Sequence, residues 1–162
     1  MNHRRLLARI ISETIACTYY FQPPVEGFRV LMYHAIGTPA LGDTLGLFSL
    51  SPERFRQHMA LLAGWTQGSV VAFDTAAKIG NGCRVAITFD DGYLDNLEVA
   101  APILCELGLP FTVFVTSEFV RHGKAGFLSP AALRTLAALP GAKIGSHGAN
   151  HVALTQCDDV TL

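Results

Sequence analysis

Asp90 and Asp91 stand side by side after the apolar stretch at residues 84–89, and His147 and His151 lie four positions apart further along the chain. Two adjacent carboxylates at the end of a buried strand repel each other and resist desolvation, unless a cation neutralises one and the other serves as a base. Successive strand side chains alternate in direction, so the pair can be divided between those two tasks. Taken alone, Asp90-Asp91-Gly92 also suits a turn in which one Asp caps the following helix. The histidines have the spacing of two ligands of one metal ion, and equally that of two loop or packing imidazoles. Gly145, Gly148 and the lack of a glutamate between them separate the pair from the regular helix of an H-E-x-x-H protease. Brought together, two imidazoles and one carboxylate leave positions open for water and substrate, as catalytic zinc and several other divalent ions require. An ion held in this way acidifies water and polarises a carbonyl oxygen, which is the chemistry of amide or ester hydrolysis.

These residues need elements to position them, and from residue 28 the sequence alternates short apolar runs with helical stretches. Residues 28–34 read as a strand. Ser51-Pro52-Glu53 then opens a helix with an N-cap serine, proline at the first helical position and an acid in the first turn. Phe55, Met59 and Leu62 repeat at helical spacing and carry that helix to Ala63. Residues 70–73 form a second short apolar run, and residues 84–89 the clearest strand. A helical stretch over residues 94–107 follows, with Pro102 inside it to kink or divide it and Gly108 at the C′ position. Residues 111–115 read as a strand, Ser129-Pro130 as a helix start, Pro140-Gly141 as its end and residues 142–146 as a last strand.

The strands near residues 87, 113 and 144 are separated by roughly the thirty residues of a βαβ unit, and they are continuous apolar runs. That pattern predicts parallel strands covered by helices, an α/β fold whose active site lies at the carboxyl ends of the strands. Asp90-Asp91, Thr116-Ser117 and His147 all fall at that end. His34 ends its own strand on the same rim and reads either as a group facing substrate or as a hydrogen-bonded strand-end histidine. Thr116 and Ser117 read as helix-capping hydroxyls.

Composition narrows the class of partner. The chain has 162 residues, half of them hydrophobic, a formal net charge of −1 and 15% charged residues, enough for one domain with a sizeable core. Lys and Arg are scattered, which argues against nucleic acid as a partner. The four cysteines, Cys17, Cys83, Cys105 and Cys157, form no CxxC pair. Cys17 and Cys105 fall in apolar helical patterns, where a thiol behaves as a small buried hydrophobe. Residues 1–27 read as an N-terminal amphipathic helical segment in which Leu6, Leu7, Ile10, Ile11 and Ile15 share a face. Arg9, Ser12, Glu13 and Thr14 interrupt its apolar run, so neither a cleavable signal peptide nor a transmembrane span is predicted. A cytoplasmic or membrane-surface location follows from that reading.

At the residues that carry the chemistry, the sequence resembles the polysaccharide deacetylase family, whose members share the NodB homology domain, a distorted (β/α) barrel. Thr88-Phe89-Asp90-Asp91-Gly92 matches the family's first motif, T-F-D-D-G, and His147 to His151 matches its second, H-[ST]-x-x-H, apart from Gly148. Residues 107–115 resemble the segment between the motifs, and residues 30–34 the opening strand of many bacterial members. The resemblance implies Asp90 as general base and Asp91, His147 and His151 as ligands of a divalent metal, with Zn2+ the leading choice. The substrate it implies is an acetylated carbohydrate, whose N- or O-acetyl group is removed by hydrolysis. In family members a Ser or Thr at the position of Gly148 braces the ligand loop.

Family members continue with an arginine motif, an Asp/Trp segment and a late histidine that acts as general acid, and nothing in residues 1–162 matches them. The resemblance therefore implies a partial NodB-type domain over residues 28–162, the N-terminal half of a barrel, since four or five strands cannot close one of seven or eight. Two further readings accompany it: a catalytically incomplete remnant that binds glycan or a partner, and a related amidohydrolase acting on a small cyclic amide. A sheet left open in this way predicts self-association if the chain stands alone.

Overall fold

The structure is a computed structural model and describes residues 26–65, 69–78 and 82–152, together with residues 155 and 157. The amphipathic segment proposed for residues 1–27, apart from its last two residues, and Cys17 lie outside the described residues. The elements run β1 (Gly27–Tyr33), β2 (Ala35–Ile36), β3 (Ser49–Leu50), α1 (Pro52–Ala63), a 3-10 turn (Phe73–Lys78), β4 (Cys83–Phe89), a π-helical turn (Asn96–Ala100), α2 (Ala101–Glu106), β5 (Phe111–Val115), α3 (Ser117–Arg121), α4 (Pro130–Ala137) and β6 (Ala142–Ser146).

Local chemistry accounts for most of these boundaries. The Ser51 hydroxyl accepts the Arg54 N–H at 3.3 Å and that of Ser129 the Ala132 N–H at 3.2 Å, so both serine-proline pairs start helices as the sequence predicts. Pro102 has no N–H to give to the turn before it. The predicted stretch 94–107 accordingly divides, with five π-helical residues leading into α2 and Pro102 in the first turn of that helix. Gly108 follows the helix at a φ of 65°, the left-handed conformation expected at a helix C-terminus.

The four long strands form one parallel sheet in the order β1-β4-β5-β6, each beside its predecessor, while β2 and β3 make a separate two-residue parallel pair. Such sequential winding with intervening helices is the arc of a (β/α) barrel. β4 is its centre, and Val85, Ala86, Ile87, Thr88 and Phe89 are all buried. Helix α1 covers one face of the sheet: Phe55 meets Tyr33 edge-on at 5.2 Å and lies 5.7 Å from Phe89. Phe111, Val113, Ile103, Leu104 and Leu136 complete the same core.

Two expectations need correction. The strand near residue 144 is not a buried run: β6 exposes Ile144, as β1 at the other edge exposes Val30 and Met32. Each is an edge strand, and helices cover only one face of the sheet at β1. Cys105 is half-buried rather than enclosed, and its thiol approaches the Pro140 carbonyl at 3.9 Å. Among the described residues, no helix is long and apolar enough to cross a membrane.

Candidate metal centre

The carboxyl rim of the sheet gathers the chemistry-bearing residues. β4 ends at Phe89, the Asp90 N–H donates to the Tyr33 carbonyl at 2.9 Å, and the chain then turns sharply with Asp91 at a φ of 71° and Gly92 at 80°. The left-handed turn, and not the strand alternation that the sequence suggests, therefore separates the two carboxylates. A non-glycine residue at such a φ is strained, and strain of this kind concentrates where the surrounding structure holds a functional side chain in place. The Gly92 N–H closes the turn on the Asp90 carbonyl at 2.9 Å, and its own carbonyl takes the Leu128 N–H at 2.9 Å.

Asp91, 4% exposed, points its Oδ1 at both histidines: 3.3 Å from His147 Nε2 and 3.0 Å from His151 Nε2. Neither approach has the angles of a hydrogen bond, so a buried carboxylate oxygen is left with no hydrogen-bond partner. Such an atom carries a desolvation cost that a cation would remove. One ligand atom from each of the three residues falls within 4.8 Å of the others. Donors around a tetrahedral ion with bonds of the usual zinc lengths stand about 3.3 Å apart, so the cluster fits a divalent ion in both donor chemistry and spacing.

The histidine loop is held by backbone. His147 donates its N–H to the Val115 carbonyl at 2.8 Å, and the first two N–H groups of α3, those of Ser117 and Glu118, donate to the carbonyls of Gly148 and Ala149 at 3.1 and 3.0 Å. Helix N-termini present N–H groups that lack intrahelical partners, and here the ligand loop supplies the acceptors. Gly148 sits at a φ of 77°, where a Ser or Thr would be strained, and the two main-chain bonds from α3 hold the loop there. The same arrangement corrects the reading of Thr116. Its hydroxyl makes no cap bond; the side chain is fully buried beneath the rim and its Oγ1 has no hydrogen-bond partner.

Asp90 stands beside the cluster, half-buried. Burial pushes its carboxyl above the ordinary range, against the opposing charges of His147 and His34. His34 thus lies close enough to act on Asp90 electrostatically, and its ring packs on Phe48 at 4.8 Å.

Three supporting residues escaped the sequence reading. Asp95, 4% exposed, accepts the Ile36 N–H at 2.9 Å, the Thr38 N–H at 3.3 Å and the Thr38 hydroxyl at 2.6 Å. Asn96 beside it donates to the His34 carbonyl at 2.8 Å, so the two residues lock the chain leaving β1 against the rim. Tyr93 accepts the Leu41 N–H at 2.7 Å and stacks on Phe127 at 4.6 Å; Phe127 meets Phe119 at 4.7 Å, and Phe119 lies 6.1 Å from His151. A third acid so soon after Asp90-Asp91, at the start of an apolar helical stretch, was the available signal for Asp95. Replacing Asp95 with asparagine should destabilise the fold by about 1–2 kcal/mol, because charge-assisted bonds to four donors, the Asn96 amide at 3.2 Å included, become neutral or are lost. Urea unfolding measures this, and an unchanged midpoint would rule out the lock.

A parallel sheet with helices between its strands and an Asp-His-His cluster on its carboxyl rim defines the N-terminal half of a NodB-type (β/α) barrel. The polysaccharide deacetylase family profile matches residues 78–162. The chain belongs to the polysaccharide deacetylase family. It is 28% identical over 130 residues to the polysaccharide-deacetylase homologue YxkH of Bacillus subtilis, which covers 77% of this chain and 43% of that protein. Among solved structures, a polysaccharide deacetylase from Bacillus cereus superimposes with a TM-score of 0.68 at 26% identity, covering 83% of this chain and 43% of that one. The deacetylase PplD of Streptococcus pyogenes has the same fold, with a TM-score of 0.68 at 24% identity over 83% of this chain and 62% of its own. IcaB from Ammonifex degensii matches at 0.60 and 26% identity, covering 75% of this chain and 53% of that one. The chain thus spans less than two thirds of the length of each of these relatives.

Proposed function

We propose that this chain carries the metal-holding half of a carbohydrate deacetylase active site. The observation that supports it best is the buried Asp91 Oδ1, which faces two imidazole nitrogens and lacks a hydrogen bond. In this reading Asp91, His147 and His151 hold a divalent ion, with Zn2+ suited to a site of two nitrogens and one carboxylate. When bound, the ion would polarise the acetyl carbonyl and make water more acidic.

The chain's own residues then do the following. Asp90, fixed through its N–H to the Tyr33 carbonyl, takes a proton from the attacking water. The water oxygen adds to the carbonyl carbon, the bond from that carbon to the sugar nitrogen or oxygen breaks, and acetate leaves. The departing atom needs a proton, a step that the family resemblance gives to a late histidine that no residue among 1–162 matches.

Metal analysis together with acetate release from acetylated oligosaccharides tests this reading. Asp90→Asn should retain the metal and lower acetate release by about 10²–10⁴-fold, the usual contribution of a general base. A chain that takes up no divalent metal would sink the proposal. One that is metal-loaded and inert in the wild type would favour the reading as a binding remnant.

A further inference from the structure

Among the described residues, Asp91 and His151 are the non-glycine residues at positive φ, 71° and 54°, and both belong to the metal cluster. Strain of this kind persists only where the surroundings hold it. Main-chain bonds do so for Asp91, whose own carbonyl takes the Thr116 N–H and whose neighbour Gly92 bonds to Asp90 and Leu128. For the histidine loop they stop short. The Ser117 and Glu118 N–H groups of α3 reach Gly148 and Ala149, and among the described residues no main-chain hydrogen bond of the loop involves Asn150 or His151.

Where those bonds end, a ring takes over. Phe119, the next residue of α3, lies 6.1 Å from the His151 imidazole, centroid to centroid, at a tilt of 46°. Phe119 is itself clamped: its ring is 4.7 Å from that of Phe127, and the Lys124 ammonium sits over it at 3.4 Å from the centroid. Phe127 stacks on Tyr93 at 4.6 Å and forms an antiparallel bridge with it, and Tyr93 follows Asp91 by two residues. Tyr93, Phe127 and Phe119 form a cluster of their own, separate from the main core. This aromatic column runs from the turn that carries Asp91 to the ring of His151. Rotation of a histidine ring about its Cβ–Cγ bond is broad, so an imidazole that is 42% exposed could present its Nδ1 or its Nε2 to a neighbour. A tilted aromatic contact removes that freedom.

We propose that Phe119 is a positioning residue for His151, holding the imidazole with Nε2 toward Asp91 Oδ1 and thereby setting the metal affinity of the cluster; this rests on the reading of Asp91, His147 and His151 as metal ligands.

The test has two readouts, zinc affinity by titration and the imidazole signals of His147 and His151 by nitrogen-15 NMR of the metal-free chain. Phe119→Ala should lower zinc affinity about 10–100-fold, the effect of losing a group that orients a metal ligand. It should also give His151 the relaxation of a freely turning ring, with His147 unchanged. Phe119→Tyr, which keeps the ring, should restore both. A role in stability alone predicts a lower Tm of the metal-free Phe119→Ala chain with zinc affinity and His151 order as in the wild type, and that result would overturn the proposal. Equal loss of affinity in Phe119→Tyr would overturn it too. Should Phe119→Ala not fold, Phe119→Leu takes its place: it keeps apolar bulk without the ring, so reduced affinity supports the proposal and wild-type affinity overturns it. A wild-type chain that takes up no zinc would count against the metal reading itself, and the order of His151 in the metal-free variants still decides the role of Phe119.

Discussion

Asp91→Ala is expected to abolish the stabilisation that zinc confers on this chain. In the wild type, zinc at about one hundred times its Kd should add about 2.7 kcal/mol of stability, which for a domain of this size raises Tm by roughly 5–10 °C. The variant keeps two imidazoles, of which His147 is 34% and His151 42% exposed, and loses the one buried anionic donor between them. Loss of an outer-shell partner costs about 10–100-fold in metal affinity, and loss of a ligand should cost more than that upper figure. The metal-free variant should melt close to the metal-free wild type, since the deleted oxygen is buried without a hydrogen bond. Paired melts with and without zinc, together with elemental analysis, check both halves. A variant that still gains the full increment would place the ion elsewhere.

Gly92→Ala should be the most damaging single-methyl change at the rim. Gly92 lies at a φ of 80°, and a Cβ there would stand 2.9 Å from Val115 Cγ1 and 3.2 Å from Val115 Cβ. The left-handed backbone costs about 1–2 kcal/mol for a residue with a Cβ, and overpacking against a side chain in the sheet core costs about 1–3 kcal/mol. A loss of about 3 kcal/mol is expected, or roughly 10 °C in Tm. The chain cannot relax cheaply, because Gly92 bonds through its N–H to Asp90 and through its carbonyl to Leu128, and the Asp91 carbonyl receives the Thr116 N–H at 3.3 Å. Metal affinity should fall in the same variant, as displacing the turn moves Asp91 relative to the histidines. Thermal and urea unfolding give the stability, zinc titration the affinity. A loss below about 1 kcal/mol would show that the turn yields without strain.

The alternation of strand and helix, both serine-proline helix starts, the break at Pro102 and the limits of β5 and β6 were legible because each follows from neighbours in the chain: a cap, a missing N–H, a run of apolar side chains. The residue types of the site were legible for the same reason, since Asp90-Asp91 closes an apolar strand and His147 and His151 flank a short glycine-bearing loop. The exposed face of β1 was not, because burial depends on which elements cover a strand and not on its own sequence.

By itself, then, the sequence determined an α/β chain with paired carboxylates and paired imidazoles at strand ends. The tertiary structure alone decided how those groups meet. Asp91 turns toward the histidines because a left-handed turn, anchored to Leu128 and Thr116, overrides the alternation of the strand. The histidine loop is held by N–H groups of α3 some thirty residues earlier in the chain, and Asp95 holds a segment nearly sixty residues before it. Such contacts arise from parallel strands lying side by side, and no local pattern of residues encodes which distant backbone groups that register brings within hydrogen-bonding reach.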